Sequence, residues 1–423
     1  MMVTLNRGIQ KIEQPVIETA DFRSFSVLGD PGCDGLGAEI MAVFADLLLE
    51  AADTDFTLIL GDVVPFGSKL FYDNVVDLIG VTAKTPVFVL CGNHDTDFYA
   101  DHFGNADYAV ADSRTLIIVL DNSDRVINPL TRAFLQKTLE DYRRPNVVLA
   151  MHIPPPNAVS GNSISSGEWE KISSILEPFR PSLRYILSGH VHSYFEDDLD
   201  GVKLIGTGGG GARIEEVPGV TPPYYHRVRF FYNDGGGLEY KREDLALEGR
   251  GRRLWDERIQ ALLSESFVRE CTAHVRYRLY AEDAARRGLP NLARLLRAAA
   301  EAEYCHARNF QYVSGDLKNP AEALAGVIAD ERCEVNEFYK TALALAREKQ
   351  TGLPVYAFAD TLRAEKVHAE LFEAALQSIK RGRDIEAAPY YTCSSCGNTF
   401  SSRARPKNCP VCGAPMDKIF GVL

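Results

Sequence analysis

The sequence has no long hydrophobic run. None of its 423 residues lies in an apolar stretch near the ~20 residues that a membrane-spanning helix needs. The N-terminal stretch MMVTLNRGIQKIEQP also has no apolar core of the kind that a secretion signal requires. These two absences argue against an integral membrane protein and lead us to expect a cytoplasmic location.

Positive charge is also in short supply. The chain has 46 Lys and Arg against 58 Asp and Glu, which gives a net charge of −12. This balance argues against broad binding to nucleic acids or anionic membranes, although it is compatible with a local basic patch. The length exceeds what one ordinary core accommodates, so we expect two or three domains.

The nine cysteines do not form the pattern of a disulfide scaffold. Four of them make two CxxC pairs near the C-terminus, and the other five are isolated. This distribution fits reduced thiols and one metal site better than disulfide bridges. The isolated cysteines are Cys33, Cys91, Cys271, Cys305 and Cys333.

The chain has three segments of different composition. From about 22 to 243, β-rich runs alternate with helical stretches, which predicts a layered α/β domain. A segment rich in Ala, Leu, Glu and Arg follows. Its Gly and Pro residues mark helix ends and starts, which predicts four helices of roughly 25 to 30 residues. The short connections predict that these helices form an antiparallel bundle. A linker, RGRDIEAAP, leads to a Cys-rich tail. The predicted domains are 1–247, 255–383 and 388–423.

Metal-binding side chains follow five apolar runs of the first segment. Successive strand ends of one sheet converge on one crevice, where α/β domains usually bind ligands. Carboxylate and amide oxygens mixed with imidazoles suit Fe, Mn or Zn. The residues are Asp30, Asp62, Asn93, His94, Asp95, His152, His190 and His192.

The motif set GD, GD, GNHD, H and GHVH, over residues 20–240, resembles the calcineurin-like metallophosphoesterases. The resemblance implies a four-layer α/β sandwich in which two metals activate a bridging water to cleave a phosphomonoester or phosphodiester. It implies that Asp62 bridges the metals, that Asn93, His152 and His190 complete one of them, and that Asp30 and His192 serve the other. His94 is implied to stabilise the transition state or protonate the leaving group, with Asp95 orienting its imidazole.

The first metal position departs from the family pattern. Many members have Asp-x-His in the first motif, but Gly32 stands where that His would be. The purple-acid-phosphatase branch instead has a tyrosine three residues after the second Asp, and Pro65 occupies that place. Cys33 and Asp34 are close enough in sequence to be substitutes. We expect hydrolytic activity, because three protein ligands and open positions make a usable catalytic site.

The glycine-rich stretch GTGGGGAR, 206–213, invites comparison with a phosphate-binding loop. It lacks the Lys-Ser/Thr of a P-loop and does not open a helix, so we reject that interpretation. We expect a turn beside the metal crevice.

The four predicted helices carry glutamates and histidines at helical spacing. Glu303 with His306, and Glu365 with His368, are Glu-x-x-His pairs whose members share a helix face. Two such pairs with glutamates on the other two helices form the ligand set of ferritin-like di-metal bundles. The candidate residues are Glu270, Glu303, His306, Glu331, Glu334, Glu365 and His368, and the family resemblance given in the next paragraph implies that all seven are ligands. For His274, one turn after Glu270, a supporting or surface role is favoured over ligation.

The tail has Cys393, Cys396, Cys409 and Cys412 in two CxxC pairs, which suit a tetrahedral iron or zinc site. Alone, a zinc ribbon would be slightly favoured. After a di-metal bundle, however, the order resembles rubrerythrin over 255–423. The resemblance implies a di-iron centre, iron in a rubredoxin-like tail, peroxide reduction with electrons from a reductase, and a homodimer. It also implies that Tyr277 and Tyr339 lie near the di-iron ligands.

The sequence therefore predicts a fusion of a two-metal phosphoesterase with a rubrerythrin. We hypothesise that redox state governs hydrolysis, because both activities depend on iron-type sites in one chain. The alternative is a redox or iron sensor or scaffold with a catalytically weak phosphoesterase domain and peroxide scavenging as its main activity. Iron storage is less favoured, because the four-cysteine tail suits electron delivery.

Overall fold

The computed structural model describes residues 4–217, 224–245, 256–402 and 407–422. It divides into two compact units, Met1–Asp316 and Leu317–Leu423. The predicted helical domain 255–383 thus contributes helices to each unit, and its predicted boundary with the α/β domain, between 247 and 255, falls outside the described residues. In the part of the chain that the structure describes, no helix is both long and apolar enough to cross a membrane.

The first sheet of unit 1 has six strands. In spatial order they are β1 (Gly8–Ile9), β5 (Pro86–Val89), β4 (Thr57–Ile59), β3 (Ser24–Leu28), β12 (His226–Tyr232) and β13 (Leu238–Asp244). The first four are parallel, and β12 pairs antiparallel with both β3 and β13. Every residue of β3 is buried, as a strand covered on both faces requires.

The second sheet of unit 1 has seven strands. In spatial order they are β10 (Tyr194–Leu199), β11 (Val202–Thr207), β9 (Leu183–Ser188), β8 (Asn146–Met151), β7 (Thr115–Leu120), β6 (Tyr108–Ala111) and β2 (Val16–Glu18). The central strands β11, β9, β8 and β7 are parallel. Their carboxyl ends therefore lie at one edge of the sheet.

Helices cover the outer face of each sheet. Those packed on the first sheet are α1 (Ala38–Glu50), α2 (Lys69–Thr82) and α3 (Tyr99–Phe103). Those packed on the second are α4 (Pro129–Asp141) and α5 (Ser166–Leu176). Short 3-10 turns, Ala51–Asp53 and Glu177–Phe179, follow α1 and α5.

A third core fills the space between the two sheets. The Phe25 ring lies at its centre and stacks on Phe56 and Phe230, with centroid distances of 5.2 and 4.8 Å. Burying one such ring contributes roughly 1.5–3 kcal/mol. The order helix, sheet, sheet, helix confirms the predicted four-layer sandwich.

A helical hairpin completes unit 1. It consists of α6 (Glu257–Arg286) and α7 (Pro290–Ser314). The Asp256 side chain caps α6 by accepting a hydrogen bond from the Ile259 amide at 2.8 Å. Gly288 has φ +74° in the connecting turn, and Pro290 is the first residue of α7. A Gly after one helix and a Pro at the start of the next are what the sequence predicted here.

Unit 2 contains the other long helices and the tail. The helix α8 (Pro320–Cys333) continues through a π-helical turn, Glu334–Phe338, into α9 (Tyr339–Glu348), and α10 (Leu353–Ile379) packs against it. The tail forms a three-stranded antiparallel sheet. Its strands are β14 (Tyr390–Cys393), β15 (Thr399–Ser401) and β16 (Ile419–Val422), with a 3-10 turn at Met416–Lys418.

Candidate metal centres and active site

The loops that follow the parallel strands of unit 1 bring the predicted ligands together. Asp30, Asp62 and His192 have ligand atoms within 4.8 Å of one another. Asp62, His152 and His190 form a second group by the same measure. Asp62 belongs to both groups, which is the position that a ligand bridging two metals requires.

Three of these residues have an unusual backbone conformation. The φ angles of Asp30, Asp62 and His190 are 56°, 54° and 66°, in the left-handed region that residues with side chains seldom adopt. Such strain is concentrated at functional sites. It is held by hydrogen bonds between the loops, because the His190 amide donates to the Asp30 carboxylate at 2.9 Å and the His94 amide donates to Asp62 Oδ1 at 2.8 Å.

The His152 ring is arranged as metal-binding histidines usually are. Its Nδ1 donates to the carbonyl oxygen of Leu60 at 2.7 Å, which leaves Nε2 facing the crevice. Nε2 lies 3.2 Å from Asp62 Oδ2 and 2.9 Å from Asn93 Oδ1. Separations of about 3 Å are those of neighbouring ligands on a metal with bonds of about 2.1 Å.

The His190 ring has two neighbours that the sequence analysis missed. Its Nε2 lies 2.8 Å from Arg125 Nη2 and 2.9 Å from Asn162 Oδ1, so Nδ1 is the nitrogen left for a metal. Arg125 has φ +67° in the loop after β7, at the same edge of the sheet as the ligands. Inspecting the loop after every strand for charged residues would have found Arg125; no sequence signal marks Asn162.

His94 is oriented by a carbonyl. Its Nδ1 donates to the carbonyl oxygen of Pro65 at 2.7 Å, and Nε2 lies 4.0 Å from Asp62 Oδ2. The side chain is 40% exposed, so Nε2 is open to a ligand in the crevice. Of the two ring nitrogens, Nε2 is therefore the one presented to the crevice.

Asp95 has a different role from the predicted one. Its carboxylate is buried and accepts hydrogen bonds from the backbone amides of Val63, Val64 and Gly92, at 2.9, 3.1 and 3.0 Å. The prediction that Asp95 orients the His94 imidazole is therefore wrong, because His94 Nδ1 donates to the Pro65 carbonyl while the Asp95 carboxylate binds these amides. Asp95 instead joins the loop of Asp62 to the loop of Asn93.

The electrostatics of the crevice suit cations. Burial raises the pKa of Asp30 well above its usual value, and the nearby charge of Asp62 adds to the effect. Burial opposes protonation of His152, yet the Asp62 and Asp30 carboxylates raise its pKa to about 9. Buried carboxylates this close together are costly without compensating positive charge. The oxygen and imidazole donors therefore fit a pair of metal ions.

Gly32, which stands where many family members have a histidine, is required by close packing. A Cβ atom on Gly32 would lie 2.1 Å from the carbonyl oxygen of Val63, so no residue with a side chain fits there without backbone movement. The Gly32 amide also donates to the carbonyl oxygen of Asp62 at 2.9 Å. The loop is thus built around the glycine, and the usual histidine has no room.

The glycine-rich stretch 206–213 lies beside the crevice. The Gly210 amide donates to the carbonyl oxygen of Gly29 at 2.7 Å, and the Ala212 amide donates to that of Asp30 at 3.0 Å. A Cβ on Gly208 would lie 2.2 Å from the carbonyl oxygen of Val191. The glycines therefore allow this segment to pack against two ligand-bearing loops.

The hairpin of α6 and α7 brings three predicted di-iron ligands together. Glu270, Glu303 and His306 have ligand atoms within 4.8 Å of one another. His306 Nδ1 lies 2.8 Å from Glu303 Oε2 and 3.9 Å from Glu270 Oε2. We call these three residues the first half-site.

The hairpin of α8 and α10 repeats this arrangement. His368 Nδ1 lies 2.6 Å from Glu365 Oε2 and 4.0 Å from Glu331 Oε1, nearly the distances of the first half-site. Glu334 opens the π-helical turn, a feature frequent at functional sites. We call these four residues the second half-site.

Two atoms of the second half-site are suited to binding a cation. Glu331 Oε2 and His368 Nε2 are buried and have no hydrogen-bond partner among the described residues. Burial, followed by a hydrogen bond with Glu365, raises the pKa of Glu331 to about 7. Buried polar atoms are rarely left unpaired, so these residues fit a metal ion.

Tyr339, Tyr277 and His274, the residues predicted to support the metal ligands of the helices, differ in their distance from those ligands and in their contacts. Burial and the charges of Glu334, Glu365 and Glu331 raise the pKa of Tyr339, which therefore lies within electrostatic reach of the second half-site. Tyr277 lies seven residues after Glu270, about 10 Å along the helix axis. His274 Nδ1 donates to the carbonyl oxygen of Ala300 at 2.7 Å, so this ring links α6 to α7.

The four tail cysteines converge in unit 2, with all sulfur atoms within 4.8 Å of one another. The Sγ atoms of Cys393 and Cys412 are 3.8 Å apart, and those of Cys396 and Cys409 are 3.6 Å apart. These separations are too long for a disulfide but match the ~3.8 Å between sulfurs on a tetrahedral metal with 2.3 Å bonds. The cluster fits one iron or zinc ion.

Comparisons with known proteins cover both parts of the chain. The family model described as calcineurin-like phosphoesterase matches residues 24–194, and the one described as rubrerythrin matches residues 261–376. Rubrerythrin-2 of Clostridium acetobutylicum is 33% identical over 170 residues, which cover 37% of this chain and 92% of that protein. The chain belongs to the rubrerythrin family. Nigerythrin of Nitratidesulfovibrio vulgaris is 28% identical over 170 residues, covering 37% of this chain and 82% of that protein.

Among solved structures, the chain is similar to a purple acid phosphatase from yellow lupin seeds. The TM-score is 0.44 at 13% identity, and the match covers 53% of this chain and 52% of the phosphatase, so the chain spans about half the length of that protein. Both predicted resemblances are confirmed by the family matches. The chain thus combines a rubrerythrin region with an N-terminal domain that matches the calcineurin-like phosphoesterase model.

Proposed function

We propose that the sandwich crevice hydrolyses phosphomonoesters or phosphodiesters with two metal ions drawn from Fe, Mn and Zn. The observation that carries the proposal is the position of Asp62, which belongs to both ligand groups. Asp30 and His192 complete the first metal position, and Asn93, His152 and His190 complete the second. Metal ions held there would supply Lewis acidity toward the phosphate ester.

The residues around the crevice complete the proposed chemistry. The Arg125 guanidinium, 2.8 Å from His190 Nε2, binds phosphate oxygens by charge-assisted hydrogen bonds. We assign proton transfer to the leaving group to His94 Nε2 in the imidazolium form of the ring, because Nδ1 donates to the Pro65 carbonyl and Nε2 is the nitrogen that faces the crevice. Asp95 keeps the loops of Asp62 and Asn93 together.

For the rubrerythrin part we propose reduction of hydrogen peroxide, in which one H₂O₂, two protons and two electrons give two water molecules. Each half-site would hold iron through its glutamate and histidine ligands. The near-identical distances in the two half-sites support this assignment. Cys393, Cys396, Cys409 and Cys412 would hold one iron, which would supply one-electron chemistry for electrons from a reductase. Five isolated cysteines and one four-cysteine metal site suit reduced thiols, which supports a cytoplasmic location.

The test uses the full chain, purified anaerobically and supplied with Mn or Fe. Hydrolysis of p-nitrophenyl phosphate and bis(p-nitrophenyl) phosphate is compared with the Asp62→Ala variant, and peroxide consumption with the Glu331→Ala variant. We expect hydrolysis above the Asp62→Ala rate and peroxide consumption above the Glu331→Ala rate. Equal hydrolysis by the wild type and Asp62→Ala with every metal would contradict the phosphoesterase proposal.

The proposed redox control is tested with the same samples. Hydrolysis is measured with the C-terminal irons reduced and again after peroxide oxidation. A difference that disappears in Glu331→Ala supports control by the di-iron centre. Equal rates in the two redox states contradict it and leave the two activities independent.

A further inference from the structure

The residue after Gly32 contacts a ligand of the first metal position. Cys33 is 7% exposed, and its Sγ lies 3.0 Å from His192 Nε2. The same nitrogen lies 3.8 Å from Asp30 Oδ1. One ring nitrogen of His192 therefore faces both the thiol and the carboxylate.

The local backbone explains why Cys33 is presented in this way. The Gly32 amide donates to the Asp62 carbonyl, and the Gly35 amide donates to the Gly32 carbonyl at 3.0 Å, so residues 32–35 form a tight turn. Position 32 has no room for a side chain, because a Cβ atom there would clash with the carbonyl oxygen of Val63. The first side chain available after Asp30 and Pro31 is that of Cys33.

We infer that Cys33 binds the first metal as a thiolate, in the place of the family's missing histidine. This inference rests on the proposed two-metal site and identifies its remaining protein ligand, beside Asp30, Asp62 and His192. With bonds of about 2.3 Å to sulfur and 2.1 Å to nitrogen, two ligands of one metal lie about 3 to 3.6 Å apart, which the observed 3.0 Å matches. Binding forms the metal–sulfur bond and releases the thiol proton to solvent.

The neighbouring Asp34 is a weaker candidate. It also has a carboxylate oxygen within 4.8 Å of the Cys33 and His192 ligand atoms. Its side chain is exposed, however, and Oδ2 accepts a hydrogen bond from the Arg213 amide at 2.6 Å. This contact holds the 208–213 segment against the turn and gives Asp34 a structural role.

A thiolate changes which metal the first position prefers. Thiolate is a soft ligand that favours iron or zinc over manganese, whereas the second position offers only oxygen and imidazole donors. The two positions of the crevice are therefore chemically unequal. We expect the first to select a softer metal than the second.

The test loads metal-free full-length protein with Co²⁺, because cobalt bound to thiolate has a charge-transfer absorption in the near ultraviolet. The variants are Cys33→Ala, Cys33→Ser and Asp62→Ala. Cys91→Ala is the matched control, since the buried Cys91 thiol donates to the carbonyl oxygen of Asp95 at 3.2 Å. The tail cysteines contribute equally to every sample and cancel in difference spectra.

We expect Cys33→Ala and Cys33→Ser to lose the same part of the charge-transfer absorption, and Cys91→Ala to keep it. Cobalt titration should show one equivalent bound at least about 10-fold more weakly in Cys33→Ala. Wild-type absorption and stoichiometry in folded Cys33→Ser would overturn the inference and leave an ordinary thiol–imidazole hydrogen bond.

Hydrolysis by the cobalt-loaded samples separates this inference from the proposed function. If the Cys33-dependent absorption is present but no sample hydrolyses phosphate esters, the ligand assignment stands and the proposed phosphoesterase activity fails. If hydrolysis is present and the Cys33 variants match the wild type in spectrum and stoichiometry, the activity stands and the assignment fails.

Discussion

The sandwich crevice and the helical half-sites gather metal ligands in opposite ways. In the crevice, the ligands follow five different strands, and Asp30 is completely buried. In the half-sites, the Glu-x-x-His pairs place two ligands on one face of one helix, and the side chain of His306 is 54% exposed. Helical geometry thus fixes part of each half-site locally, whereas the crevice exists only when two sheets have assembled.

This difference predicts unequal tolerance to change. A crevice formed by close backbone contacts should respond strongly to a single added methyl group. A helix face should accept the same methyl group with little effect, because its ligand spacing is set by the helix itself. The following predictions test this contrast, from the largest expected effect to the smallest.

The largest effect is expected from Asp62→Ala, a single substitution that should remove hydrolysis and spare peroxide consumption. Asp62→Ala should lower kcat/KM for phosphate-ester hydrolysis at least about 1,000-fold, since losing the shared ligand removes about 4 kcal/mol of transition-state stabilisation. Peroxide consumption should be unchanged. Steady-state assays of both reactions on one preparation check this.

Glu331→Ala is the reciprocal control for that experiment. It should abolish peroxide consumption and leave hydrolysis by reduced protein unchanged. A loss of both activities in either variant would show that the two regions do not bind their metals independently.

The next largest effect concerns Gly32. Gly32→Ala should destabilise the sandwich by about 3 kcal/mol, because its Cβ would lie 2.1 Å from the Val63 carbonyl oxygen. Thermal unfolding followed by near-ultraviolet circular dichroism measures the change. The control is Gly80→Ala in α2, where no atom lies within 4 Å of the added Cβ and no destabilisation is expected. Equal stability of the two variants would contradict the steric account.

A smaller effect is expected at the edge of the crevice. Arg125→Ala should raise KM for a phosphate ester about 10-fold and change kcat less, because a charge-assisted hydrogen bond contributes about 1.5 kcal/mol. Arg125→Lys should recover part of the loss through charge alone. A fall in kcat at constant KM would instead place Arg125 in the chemical step.

The smallest effect is expected on the helix of the second half-site. Gly326→Ala should stabilise α8 by about 0.5–1 kcal/mol, since nothing lies within 4 Å of the added Cβ and alanine is a better helix former. Denaturant unfolding measures the gain. Gly288→Ala is the contrasting variant, because its φ of +74° should make the same change destabilising.

Features encoded by local spacing were predictable from the sequence. Composition and the positions of Gly and Pro predicted the four long helices and the turn at Gly288. The spacing of the cysteines predicted the metal site of the tail. The apolar runs also predicted where several strands lie along the chain and the strand-end positions of Asp30 and Asp62. Family resemblance then supplied the four-layer arrangement, which the three cores confirm.

Contacts between distant loops were not predictable. Pro65 orients His94 across 29 residues, and Arg125 reaches His190 across 65 residues. The Pro65 contact uses a backbone carbonyl, which every residue has, so no residue type marks it. The same reason explains the wrong role given to Asp95, whose partners are backbone amides that the sequence does not distinguish.

The left-handed conformations of Asp30, Asp62 and His190 have a consequence for the amount of this protein in a cell. Each such residue costs on the order of 1–3 kcal/mol, which lowers the stability of the metal-free sandwich. Metal that binds only the folded state restores about 2.7 kcal/mol at a concentration 100 times its Kd. Metal-starved cells should therefore degrade the protein faster, since proteases act on the unfolded fraction, and its abundance should follow metal supply.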